Sequence, residues 1–224
     1  MKKALMYGAA ALALVACQSN TNKTETMNEP ETKAAETVTP ITDYPNILVV
    51  VDVQRDFFDP SGSLYVSGSE VLPAKIAAIA DNYDAVVFTL DWHPADHCSF
   101  NDQGGMWPSH CVAFTQGAGL ADVFAPVIKS KPNEIFLKGT DPNKEQFGAF
   151  EDLSDYPELE GWLKGCRSID VCGIAGDYCV KESTNNILKY ADASKVSILV
   201  DCVRSIDDGS ALKAFIAEKG ISTK

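Results

Sequence analysis

After residue 44 the chain carries five short apolar runs, and polar residues stand where they stop. Ile47–Val51 runs into Asp52, Ala85–Leu90 into Asp91, Ile135–Leu137 into Lys138, and Val196–Val200 into Asp201. Ile169–Ile174 leads on to Asp177, Tyr178 and Cys179. Continuous apolar runs of this length read as strands buried on both faces, as in a parallel sheet. Between them lie helical patterns over Leu72–Asn82, Tyr178–Ala191 and Ala211–Lys219. This alternation predicts an α/β fold of three layers, a doubly wound and mostly parallel sheet with helices on both faces. A last edge strand after Gly220 is expected to be short.

The pattern before residue 44 is different. Lys2 and Lys3 precede Ala4–Ala16, an apolar stretch too short to span a bilayer as a helix. Leu14-Val15-Ala16-Cys17 then resembles the bacterial lipobox, whose cysteine is lipidated and becomes the new N-terminus. A secretory signal with a chance cysteine is the alternative. Residues 18–43 hold no aromatic residue and are rich in Thr, Glu, Asn and Pro, a composition that cannot bury a core and reads as a disordered linker. The expected organisation is a signal peptide at 1–16, lipidated Cys17 with its linker at 17–43, and one folded domain at 44–224. Gln18 in the second position of the mature chain implies delivery to the outer membrane, facing the periplasm.

Charge narrows the partners. The formal net charge of −12 opposes binding to nucleic acid through phosphate neutralisation. It also opposes adsorption to anionic lipid, so attachment to a membrane rests on the lipid at Cys17 alone. A homo-oligomer is compatible with all of this.

In doubly wound folds, ligands bind outside the carboxyl ends of the strands. Asp52, Asp91, Lys138 and Cys179 are all expected there, whereas Asp201, similarly placed, suggests no role. The three histidines, His93, His97 and His110, lie within eighteen residues. Asp91 and His93 are two apart at a strand end, so both can face one side, and His110 returns from a loop containing Gly and Pro. A carboxylate with imidazoles suits one divalent ion, Zn²⁺, Fe²⁺ or Mn²⁺. His97 reads either as a further ligand or as a contact to substrate or to the metal's water. Cys98 and Cys111 flank the cluster, so a thiolate-rich structural zinc site competes, without a C-x-x-C pair to support it.

Gly173-Ile174-Ala175-Gly176-Asp177-Tyr178-Cys179-Val180 passes from strand to helix. Cys179 there reads either as a buried structural cysteine or as a nucleophile whose thiol pKa the helix N-terminus lowers. The small residues Gly173, Ala175 and Gly176 would let the backbone approach a substrate. A nucleophile needs a base. With the histidines assigned to metal, Asp52 is the first candidate, and Lys138 would favour the thiolate.

These segments, together with Val51-Asp52-Val53-Gln54-Arg55-Asp56-Phe57 and Phe136-Leu137-Lys138-Gly139, resemble the nicotinamidase/pyrazinamidase group of isochorismatase-like cysteine hydrolases. The resemblance implies conversion of nicotinamide to nicotinate and ammonia, and of pyrazinamide likewise, through a thioester. It implies Asp52 as general acid/base, Lys138 as its partner and Cys179 as nucleophile. It implies metal ligation by Asp91, His93 and His110 with His97 close by, and a pyridine ring held by Phe57 and Trp107 beside Tyr178. The N–H groups of Ala175 and Cys179 would form an oxyanion hole, and a cis peptide would precede Ala175. Gly176 departs from the pattern, since relatives often carry Thr there. Two other readings stay open: a related amidohydrolase of small amides or carbamoyl compounds, and a lipoprotein that binds a pyridine or metal without turnover. Cys98, Cys111, Cys166, Cys172 and Cys202 could form disulfides, with Cys179 expected in none.

Overall fold

The computed structural model describes residues 43–224; the expected signal peptide, the expected lipidation site Cys17 and the expected linker up to residue 42 lie outside the described residues. Six strands form one sheet: β1 (Asn46–Val51), β2 (Ala85–Asp91), β3 (Asn133–Lys138), β4 (Ser168–Ile174), β5 (Val196–Arg204) and β6 (Ser222–Thr223). Their order is β3-β2-β1-β4-β5-β6 and every pair is parallel. The order reverses between β1 and β4, so the crevice for a ligand opens beyond the carboxyl ends of those two strands.

The apolar runs become strands because both faces of the sheet are covered. Along β1, Ile47, Val49 and Val51 enter one core with Leu159, Leu163 and Phe215. Leu48 and Val50 enter the other with Leu72, Ile76 and Phe124. The covering helices are α2 (Leu72–Ile79) and α3 (Ala125–Ser130) on one face, and α4 (Pro157–Gly165), α5 (Lys181–Ile187) and α6 (Ser210–Lys219) on the other; a four-residue α1 (Arg55–Phe58) follows β1. The helix α4 shows how sequence makes such an element. Pro157 starts it without costing a hydrogen bond, Leu159 and Leu163 bury one stripe, and Glu160 pairs with Lys164 at 2.6 Å outside.

Two expectations need correction. The helical pattern over Tyr178–Ala191 begins earlier, as a π-helical turn at Gly176–Val180, and its α-helical part ends at Ile187. The strand β5 does not stop at Val200 but continues through a register shift to Arg204, so Asp201 lies exposed within it and not at its end. Helices α1, α3 and α4 were not among the helical patterns read from the sequence. No helix of the described residues is long and apolar enough to cross a membrane.

Candidate active site

Asp52 follows β1 directly, Asp91 and Lys138 end β2 and β3 as registered partners, and Cys179 lies in the π-helical turn after β4. Parallel pairing therefore gathers at one edge of the sheet four side chains that are far apart in sequence. Asp52 and Lys138 are wholly buried. The Lys138 ammonium sits 2.8 Å from Asp52 Oδ2, contacts Asp91 Oδ1, and donates to Cys179 Sγ at 3.5 Å. Thr89 Oγ1 donates to Asp52 Oδ1 at 2.6 Å. Asp52 itself adopts a left-handed φ of 50°, a conformation Asp tolerates better than most residues. Its Oδ2 has no directed hydrogen bond and remains able to accept a proton.

Electrostatics follow from this burial. Burial pushes the Asp52 carboxyl above its usual range, against the lowering effect of Lys138. Asp91 also feels burial, but Lys138 and the two imidazoles outweigh it and hold its pKa low. Burial works against the Lys138 ammonium, yet the Asp52 and Asp91 carboxylates outweigh it and keep the lysine charged. Burial pushes the Cys179 thiol well up, and neither Lys138 nor its place in the first helical turn reverses that. The expected lowering is thus corrected: desolvation dominates and the shift runs upward.

Asp91, His93 and His110 form a second cluster, with donor atoms within 4.8 Å of one another. Nδ1 of His93 faces the Gly139 carbonyl at 2.9 Å, and Nδ1 of His110 faces that of Pro108 at 2.8 Å. Each ring thereby turns Nε2 toward Asp91, at 3.6 and 3.9 Å. Carbonyl-anchored imidazoles beside a carboxylate are the arrangement that binds a divalent ion, with positions left open for water or substrate. Asp52, Asp91 and Cys179 could form another donor group, but the Lys138 ammonium occupies the space between them.

His97 is not in the donor group. Its Nδ1 accepts from Ser99 N–H at 3.2 Å and lies 2.7 Å from Ser99 Oγ, while Nε2 lies 3.2 Å from the Lys144 carbonyl. With both ring nitrogens engaged, it packs 4.1 Å from the His93 ring and braces it. The described cysteines are all free thiols, Cys179 among them, and Cys98 and Cys111 do not join the cluster.

Both groups lie against one cavity, which Cys179 and the Asp91–His93–His110 group line directly. Phe57, Trp107, Tyr178, Ala175 and Cys179 line it together with Asp91, His93 and His110. Trp107 and Tyr178 meet edge to face at 5.2 Å. The peptide bond before Ala175 is cis. Of the three small residues expected to approach substrate, only Ala175 faces the cavity; Gly173 is pressed against the Val51 backbone and Gly176 against Ser205.

Sequence reasoning missed the supports. Gln54 donates to the Asp91 carbonyl at 2.7 Å and accepts from Asp91 N–H at 2.8 Å, so its amide clamps the metal-side carboxylate's backbone. Asp56 accepts from Cys111 N–H at 2.7 Å, fixing the loop that carries His110. Glu145 and Ile206 complete the cavity wall. The signal for the first two was present, since both lie among the apolar residues of the Val51–Phe57 segment. Nothing in sequence marked Glu145 or Ile206, which lie on loops.

Comparison with known proteins agrees with this geometry. The isochorismatase domain family model matches residues 46–218. The nicotinamidase of Saccharomyces cerevisiae is 30% identical over 193 residues, covering 72% of this chain and 88% of the relative. The nicotinamidase/pyrazinamidase of Mycobacterium tuberculosis is 34% identical over 177 residues, covering 75% and 90%. Among solved structures, PnC1 of L. infantum in complex with nicotinate superimposes with a TM-score of 0.72 at 32% identity, covering 82% of this chain and 94% of its own. The pyrazinamidase of Pyrococcus horikoshii in complex with zinc gives 0.68 at 32% identity, covering 80% and 98%.

Proposed function

Because the chain belongs to the isochorismatase domain family, we propose that its cavity works as follows. The protein is a nicotinamidase, hydrolysing nicotinamide to nicotinate and ammonia, and it uses a divalent metal ion. The observation that carries this reading is the convergence of Cys179, Asp52 and Lys138 beside an Asp91–His93–His110 donor group, with Cys179 and the donor group facing one aromatic-walled cavity.

In the proposed mechanism, Asp52 Oδ2 takes the Cys179 proton as the sulfur attacks the carboxamide carbon. Burial raises the Asp52 pKa, which makes it a stronger base toward the thiol proton than an ordinary carboxylate. Lys138 stays cationic and offsets the charge on Asp52. The N–H groups of Ala175 and Cys179 receive the negative charge that forms on the amide oxygen. Asp52 returns the proton to the departing nitrogen, ammonia leaves, and a thioester remains. Asp52 then accepts a proton from water, the resulting hydroxide opens the thioester, and Cys179 regains its proton as nicotinate leaves. Asp91, His93 and His110 would hold the metal, for which we propose zinc; when bound, it supplies a Lewis acid that orients the pyridine. Phe57, Trp107 and Tyr178 would hold the ring. A related small-amide hydrolase would use the same Asp, Lys and Cys but has no evident need of the imidazole pair.

The test is ammonia release from nicotinamide by the reduced, metal-loaded protein, with and without chelator, beside Cys179→Ala. Turnover lost on chelation and in the variant is expected. Full turnover by Cys179→Ala would exclude the thioester.

We further propose that the chain is exported, lipidated at Cys17 and held at the outer membrane facing the periplasm by that lipid. The Leu14–Cys17 motif and the polar tract after it support this. Labelling with a radioactive fatty acid should mark the protein but not Cys17→Ala, and label persisting in the variant would refute it.

A further inference from the structure

Ile206 bounds the cavity beside Tyr178 and Cys179 yet is 47% exposed, so it contributes a wall and little core. It lies in the loop between β5 and α6. Such a loop would define a wall poorly unless something held it, and three features do. Asp177, only 7% exposed, accepts from Ile206 N–H at 3.0 Å through Oδ1 and from Asp207 N–H at 2.9 Å through Oδ2. At the end of β5, where the loop begins, Arg204 Nε donates to the Gly68 carbonyl at 3.1 Å and ties that end to the segment that supplies the cavity residues Leu64 and Val66. Gly176 lets the loop close onto the nucleophile turn: a Cβ there would collide with the Ser205 hydroxyl and come within 2.9 Å of Val203 Cγ1. The glycine that departs from the relatives' pattern is therefore matched by Ser205.

Asp177 is two residues from Cys179 and does not line the cavity. Both its oxygens accept from main-chain N–H groups, and such charge-assisted bonds are about twice as strong as neutral ones. They make the position of Ile206 depend on the turn that positions the nucleophile.

We propose that Ile206 is a specificity-determining residue that limits ring substituents on the substrate, and that Asp177 is the residue that positions it. The inference rests on the amidase reading above. A methyl group on the ring's Ile206 side would have to displace the side chain, and moving it strains both bonds to Asp177.

The test uses the full chain, metal-loaded and carrying Cys179→Ala, so that binding is read without turnover. Calorimetry measures the affinity of nicotinamide and of its 2-, 4-, 5- and 6-methyl derivatives. Adding Ile206→Ala is expected to improve at least one methyl derivative relative to nicotinamide by about tenfold, the discrimination one methyl group earns in an apolar pocket. Asp177→Ala should shift the same ratio in the same direction, and combining the two should add little beyond either, because they act on one wall. Should Asp177→Ala fail to fold, Asp177→Asn, which keeps one acceptor oxygen, makes the comparison. With Cys179 intact, these substitutions should raise KM for nicotinamide more than they lower kcat. Unchanged ratios in Ile206→Ala overturn its role; additive effects overturn that of Asp177; no binding of any of the five compounds overturns both. Ammonia release by the unaltered protein is scored separately, so failure of the amidase reading is distinguishable from failure of the wall.

Discussion

Lys138 touches Asp52, Asp91 and Cys179 while fully buried, and this makes it the most consequential single side chain in the site. Replacing it with Met leaves two buried carboxylates without their cation, a change that costs about 3–5 kcal/mol when a buried pair is broken. Lys138→Met should therefore lower the denaturant midpoint as well as abolish turnover, and an unchanged midpoint would mean that water replaces the ammonium. At this scale the sequence was informative where chemistry meets a strand end. Asp52, Asp91, Lys138 and Cys179 could be picked out because each ends or follows a buried run. Gln54, Asp56 and Thr89 could not be given roles, because their partners are supplied only by the folded sheet and its loops. The state of the Cys179 thiol was misjudged for the same reason: helix position is local and readable, whereas the depth of burial is not.

Among the elements, the turn after β3 couples backbone geometry to the metal-side histidine. Gly139 has a left-handed φ of 64°, its carbonyl orients His93, and a Cβ there would overlap the His93 ring. Gly139→Ala is thus expected to displace the imidazole and weaken zinc affinity by tenfold or more, within the about 10–100-fold range for loss of an outer support. Competition with a chromogenic chelator would measure it, and unchanged affinity would show that the turn can absorb the methyl group. The buried strands were legible as apolar runs and α2 and α6 as helical patterns. The π-helical turn was not, since its five residues combine a glycine with a buried acid and carry no periodicity. The extension of β5 was hidden by Asp201, whose exposed side chain sits in a strand that the register shift lets continue.

At the scale of the whole molecule, the described residues form two cores separated by one sheet. Phe88 on β2 is fully buried against Phe124, ring centroids 5.3 Å apart. Phe88→Ala should destabilise the fold by about 3–5 kcal/mol. With the metal bound, its kcat should stay near that of the unaltered protein under conditions where the variant is folded, measured by ammonia release below its melting temperature. A matching loss of kcat would mean that the core and the site are not separable. The three-layer, doubly wound architecture was readable from strand–helix alternation alone, because a parallel sheet demands crossovers and coverage on both faces. What alternation could not specify was strand order, and with it the adjacency of β1 and β4 that brings Asp52 to Cys179.

The position of Lys138 between Asp91 and Asp52 has a further consequence. A single ammonium is shared by the carboxylate that faces the metal and the carboxylate that faces the sulfur, so the two halves of the site obey reciprocity: what alters one must alter the other to the same degree in free energy. Even without metal, Asp91→Asn should quicken alkylation of Cys179 by iodoacetamide, since the Asp91 charge is among the influences that disfavour the thiolate. Equal alkylation rates would show the halves to be independent. Unequal rates would mean that metal retention and nucleophile reactivity cannot be tuned separately in this protein, and that natural variation at one is constrained by the other.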